Sequence, residues 1–238
     1  MDTGGFTREP YWRPPRQTFW NYQLVEVLVF LFLIVPSMLL SLFVKSKLGM
    51  VGFVSVASAT IVRDLALVSL VFYFIWRNGE SLRDLGWTWE NGGREVFLGI
   101  ILFVPFTYTA HFLEKFLRHV GLTAPVGTPA FLSLHGTGEI VLGIALVVIV
   151  ALAEETIFRG YLILRFQGAH TGPLAAAVLS SVIFSLGHGY EGTAGIITVG
   201  YLGLIFALIY LWRGSLLAPV IMHFLQDFSG IVVPVLFK

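Results

Sequence analysis

Four ionisable residues, Glu154, His188, His223 and Asp227, stand in stretches that are otherwise apolar. A charge near the centre of a bilayer costs about 2.5–3.5 kcal/mol on insertion scales, so such residues usually face a bundle interior and carry out a task. The densest group is Glu154-Glu155-Thr156-Ile157-Phe158-Arg159, inside the apolar run 140–164. On a helix, Glu154 and Glu155 project about 100° apart and face different ways. Glu155 and Arg159 are spaced i,i+4 and can pair along one face, which leaves Glu154 to address something else. His188 follows Phe184 by four positions, and His223 and Asp227 are again i,i+4.

Together these residues offer a carboxylate for general-base work, two imidazoles and a second carboxylate. A water between Glu154 and His188 could be activated, with His223 hydrogen-bonding the oxyanion of a tetrahedral intermediate. The same four residues could instead ligate Zn²⁺, leaving an open position for water. Residue types and spacing leave both open. They also fit a proton relay in a transporter, or the polar core of a non-enzymatic immunity or scaffold protein. Taken singly, an intramembrane histidine is more often a helix–helix hydrogen bond, and Glu155–Arg159 has a structural side. Three groups on three spans are harder to dismiss, because each bears its own insertion cost. The chain has no cysteine, which removes thiol nucleophiles and thiolate metal sites. It also lacks HExxH and GxSxG.

Composition sets the class. Of the 238 residues, 56% are hydrophobic and only 12% are charged, with a mean hydropathy of +0.83. These values indicate an all-α, polytopic transmembrane helix bundle. The net charge of +1 and the absence of a basic stripe argue against nucleic-acid binding. About seven spans are expected, at 24–44, 54–76, 96–113, 138–166, 173–189, 194–212 and 216–236. Residues 1–22 read as an interfacial tail in which arginines, aromatics and prolines mix. The remainder, 23–238, reads as one transmembrane domain whose chemistry lies within 138–238.

Several local features carry further expectations. Glu26 sits near the start of the first span, at the positive end of its helix dipole. Lys45 and Lys47 snorkel from its far end. Arg63 and Asp64, adjacent in the second span, read as a structural or interfacial pair. Ser81 to Trp87 reads as a short amphipathic helix on the membrane surface, with Trp87 and Trp89 as anchors. The fourth span is about 29 residues, roughly 43 Å, and must tilt or project beyond a hydrocarbon core of ~30 Å. An odd number of spans puts the termini on opposite sides. Arg8, Arg13, Arg16, Arg77, Arg83, Arg94, Arg165 and Arg213 then share the N-terminal side, against Lys45, Lys47, Lys115, Arg118 and Lys238. The positive-inside rule makes the N-terminal side cytoplasmic.

These motifs resemble those of the CPBP family of intramembrane proteases, which comprises the type II CAAX prenyl proteases and the bacteriocin-processing or Abi proteins. The family pattern is EExxxR, FxxxH and HxxxN, or a related polar residue in place of the Asn, on successive late helices. Here it is matched by Glu154-Glu155-Thr156-Ile157-Phe158-Arg159, Phe184-Ser185-Leu186-Gly187-His188 and His223-Phe224-Leu225-Gln226-Asp227. Gly160-Tyr161 and Leu85-Gly86-Trp87 look like further family stretches. The likeness covers roughly 138 to the C-terminus. It implies that Glu154 activates water with help from His188, that His223 and position 227 stabilise the oxyanion, and that Glu155 and Arg159 hold the site in shape. Asp227 departs from the prenyl proteases' Asn. An ionised carboxylate cannot donate to an oxyanion, so Asp227 must be protonated, orient His223 or ligate a metal. Some members are described as metalloproteases, whereas the prenyl-protease branch is better described as glutamate-dependent. The implied substrate is a hydrophobic or lipidated peptide or membrane protein. The compact form of the chain, without targeting extensions, suggests a prokaryotic inner membrane.

Overall fold

The computed structural model describes residues 20–43, 52–125 and 129–237. Among these residues there are seven helices and no strand. They are α1 Trp20–Phe43, α2 Phe53–Arg77, α3 Gly92–His119, α4 Thr137–Gly168, α5 Pro173–Leu186, α6 Gly192–Arg213 and α7 Leu217–Leu236. Five, namely α2, α3, α4, α6 with the turn before it, and α7, are long and apolar enough to cross a membrane. In lipid every backbone polar group must be satisfied within its own segment, which an apolar helix does.

Large apolar side chains such as Phe32, Val62, Trp76, Phe112, Val141 and Trp212 point outward. A bundle dissolved in lipid has no reason to hide them. α3 lies along α7, α2 along α4 and α5 along α6. The two helices of the last pair approach through Ala176, Ala177 and Ala207, all fully buried, where small side chains let backbones come close. The main apolar cluster joins Phe30 and Ile34 of α1, Val71, Phe74 and Ile75 of α2, and Ile157, Phe158, Tyr161 and Leu162 of α4.

The structure corrects several expectations. α4 runs for 32 residues, roughly 48 Å, longer than expected. It widens to a π-helix over Glu155–Leu162 before regaining α geometry. α5 spans only 14 residues, about 21 Å, and stops at Leu186. His188 therefore lies beyond it, between Gly187 and Gly189, before the 3₁₀ turn Gly189–Glu191. Glu26 is buried inside α1 rather than capping it. It meets Arg77, accepts from Asn78 Nδ2 at 3.1 Å and lies 3.9 Å from Arg165. Arg165 in turn forks onto Glu80 at 2.7 and 2.6 Å. Residues 1–19 and 44–51, and with them Lys45, Lys47 and most of the expected tail, lie outside the described residues.

Ser81 to Trp87 is not a helix on the membrane surface but a run of tight turns. Asp84 takes the Ser81 N–H at 2.7 Å, and Gly86 O accepts from Leu216 N at 2.9 Å. Leu85 is completely buried, and Trp87 donates through Nε1 to Thr156 Oγ1 at 3.2 Å. Of the two expected anchors, Trp87 is half-buried and Trp89 is exposed. A buried leucine and local turn bonds outweigh the amphipathic pattern. The seat for this segment is Gly160: a Cβ there would stand 2.9 Å from Leu85 O and 3.3 Å from Leu85 Cβ. Gly160→Ala should therefore destabilise the protein by about 1–3 kcal/mol through overpacking, read as a lower midpoint of thermal unfolding in detergent.

Candidate active site

The site begins where α4 changes its winding. Glu154 is the last α-helical residue, and Glu155 opens the π segment. α7 repeats the pattern: Asp227 ends its α-helical part and a π segment follows over Phe228–Val232. Such wide turns recur at functional sites, because they re-aim the side chains next to them.

Glu155 and Arg159 pair as their spacing predicted. Arg159 Nη1 donates to Glu155 Oε1 at 2.8 Å, and both side chains are at most 1% exposed. Arg159 Nη2 also donates to Gly203 O of α6 at 3.2 Å. A Cβ on Gly203 would meet that nitrogen at 3.2 Å and Phe184 Cδ1 at 3.0 Å, so only glycine leaves the guanidinium this room. The guanidinium lies 4.4 Å from the Phe184 ring centre and 5.4 Å from that of Phe206. Its charge is thus met by a carboxylate, a carbonyl and two ring faces.

Glu155 has a second partner. His223 Nδ1–H donates to the same Oε1 at 2.7 Å, which fixes the imidazole and turns Nε2 the other way. Nε2 lies 3.7 Å from Glu154 Oε2 and 3.5 Å from Asp227 Oδ2. Three carboxylates from two helices thus surround one buried ring. Phe184 meets it edge-on at 5.9 Å, and Phe206 lies tilted against it at the same distance. Glu154 Oε2 is buried and makes no hydrogen bond to another protein group.

His188 is held separately. Its Nδ1 lies 3.2 Å from Phe184 O and its ring 4.8 Å from the Phe184 ring. A carbonyl only accepts, so Nδ1 carries the proton and the neutral ring keeps its lone pair on Nε2. Glu154, His188, His223 and Asp227 all line one cavity of about 1070 Å³. Its walls include Leu33 and Ile34 of α1, Leu146 and Val150 of α4, and Phe131 of the loop before α4. This is the upper end of the range for small-molecule sites and has room for a peptide segment.

The structure also brings in a pair that the sequence read as structural or interfacial, without linking it to the site. Arg63 and Asp64 are well inside α2, not at its end, and both line the same cavity. Their signal was visible as adjacent charges in an apolar span, but no spacing linked them to the three motifs. For zinc, the residues do not fit as they stand: among the described residues no three His, Asp or Glu side chains are grouped to hold a metal ion.

Arg159→Met would leave Glu155 as a buried charge facing only His223. A loss of about 3–5 kcal/mol is expected for breaking such a pair, with Arg159→Lys intermediate because an ammonium cannot reproduce the fork and the ring stacking. Thermal unfolding of the two variants in detergent checks the order.

Comparison with known proteins adds one finding. Searches of curated proteins and of solved structures returned no match. The family model described as type II CAAX prenyl endopeptidase Rce1-like matches residues 136–229, a stretch that runs from the start of α4 into α7 and holds Glu154, Glu155, Arg159, Phe184, His188, His223 and Asp227. The long apolar helices support an integral membrane protein, and this stretch, less than half of the chain, is similar to the type II CAAX prenyl endopeptidase Rce1-like family.

Proposed function

We propose that the protein is an intramembrane endopeptidase that hydrolyses a peptide bond with a water activated by Glu154. The observation that carries this reading is that Glu154 Oε2 is buried, lacks a protein hydrogen-bond partner and faces His223 Nε2 across 3.7 Å at the wall of a peptide-sized cavity. A carboxylate so placed accepts a proton from water as the water attacks the scissile carbonyl carbon. The carbonyl π electrons move onto oxygen. His223 in its protonated form offers Nε2–H to that oxyanion while Glu155 steadies Nδ1. When the intermediate collapses, the C–N bond breaks. Glu154 returns its proton to the leaving nitrogen, so that water and peptide give an acid and an amine. His188, with its lone pair on Nε2, assists in holding the water. Asp227, 3.5 Å from His223 Nε2, orients the imidazole. This is the part an ionised carboxylate can play where the prenyl proteases use Asn.

The substrate in this reading is a hydrophobic or lipidated peptide or membrane protein, with a prenylated CAAX tail as the family's example. The apolar walls from α1 and α4 support it. Arg77, Arg83, Arg94, Arg165 and Arg213 fall on the N-terminal side by the order of the spans and support a cytoplasmic N-terminus, in a prokaryotic inner membrane. A proton-relay or scaffold role is less well supported, because the polar side chains share one roomy cavity rather than separate helix interfaces.

In proteoliposomes with a fluorogenic farnesylated CAAX peptide, Glu154→Gln should lower cleavage by about 10²–10⁴-fold, the usual worth of a general base. Full proteolysis by this variant would sink the assignment. Cleavage by the unaltered protein should persist after dialysis against a chelator, with no stoichiometric metal in the purified sample. A requirement for added zinc would replace the carboxylate mechanism with a metal one.

A further inference from the structure

Arg63 and Asp64 lie near the middle of α2, outside the stretch the family model matches, and the mechanism above does not use them. Asp64 is 1% exposed. Arg63 Nε donates to Asp64 Oδ1 at 2.8 Å, and Nη2 reaches the same oxygen at 2.8 Å. That Nη2 also lies 3.9 Å from Glu154 Oε1. The Arg63 side chain is half exposed, and it opens into the cavity that Glu154, His188 and His223 line.

Two charges placed here for packing alone would be a poor choice, since an apolar pair would fill the space without the insertion cost. The arrangement instead gives the two oxygens of Glu154 different neighbours. Oε1 faces Arg63, while Oε2 faces His223 and has no hydrogen bond. A carboxylate on a single side-chain bond can rotate, and a general base works only when one oxygen is within reach of its proton. A cation near one oxygen removes that freedom. It also stands between Asp64 and Glu154, both of which line the cavity. Asp64 grips the guanidinium from behind through both Nε and Nη2, and so sets where Nη2 points.

We infer that Arg63, braced by Asp64, is a positioning residue for Glu154: it holds Oε1 so that Oε2 is presented to the water and to His223. The inference rests on the reading of Glu154 as the base. It makes the N-terminal helices part of the reaction machinery rather than a membrane anchor for the matched core.

The test uses the full chain in proteoliposomes with the fluorogenic farnesylated CAAX peptide. Arg63→Met should lower kcat about 10- to 100-fold, part of the ~10²–10⁴-fold worth of a general base, and leave KM unchanged, because the loss falls on the aim of the base. Arg63→Lys, which keeps the cation but not the fork, should recover part of kcat. Arg63→Met combined with Asp64→Asn balances the charge, so it should unfold at the wild-type temperature yet keep the low kcat. Wild-type kcat in that double variant would show that Arg63 merely neutralises Asp64, and would overturn the inference. So would a loss in Arg63→Met carried by KM alone. Glu154→Gln, run alongside, reports separately: if it cleaves like wild type, the base itself is misassigned, whatever the Arg63 variants do.

Discussion

One oxygen, Glu155 Oε1, accepts from Arg159 Nη1 at 2.8 Å and from His223 Nδ1 at 2.7 Å. Both donors and the acceptor are almost fully buried. Desolvating such groups is costly, and their mutual attraction offsets the cost only when geometry is good and the remaining donors are met. Here Arg159 also finds Gly203 O and the faces of Phe184 and Phe206. The requirement to satisfy one guanidinium in an apolar bundle therefore draws α4, α5, α6 and α7 to a common point. It is a local condition with a long reach, because Phe184, Gly203 and Phe206 lie far along the chain from Arg159.

That hub divides the polar residues into two kinds. Glu155 and Arg159 do not line the cavity; Glu155 Oε1 is taken by Arg159 and His223, and its Oε2 is buried without a hydrogen bond. Glu154, the next residue, keeps one oxygen without a hydrogen bond and faces a cavity. Helical geometry already turns the two neighbours about 100° apart, and the switch from α to π winding falls between them. The same switch follows Asp227 on α7. His223, tethered at Nδ1 and open at Nε2, links the closed side to the reactive side. Restraining an imidazole through its far nitrogen leaves the near one aimed, the general condition for a preorganised donor to developing charge.

A second polar cluster holds the other end of the bundle. Glu26, Arg77, Asn78, Glu80 and Arg165 tie α1, the end of α2 and the end of α4 together. Leu85 and Trp87 lock the intervening turns onto Gly160 and Thr156. These contacts bear on the π segment from its outer side while Arg159 bears on it from within. The position of Glu154 is thus set by packing on both sides of its helix, with α2 supplying Arg63 from a third direction.

The amino-acid sequence by itself determined the class, the order of the helices and which residues are candidates for chemistry. Long apolar runs can only be lipid-spanning helices, and ionisable residues within them stand out because each is costly. The i,i+4 spacings also announced the Glu155–Arg159 and His223–Asp227 pairs, since helical geometry alone brings those side chains together. Tertiary structure decided what no local rule could: that Glu155 serves His223 as well as Arg159, that His188 stands beyond the end of α5, that Leu85 is buried rather than lying on the membrane, and that Arg63 and Asp64 face Glu154. Each of these depends on contacts between residues far apart in the chain. There the pairing is chosen by which buried charges and close-packed glycines can be satisfied at once, and periodicity along one helix carries no record of that choice.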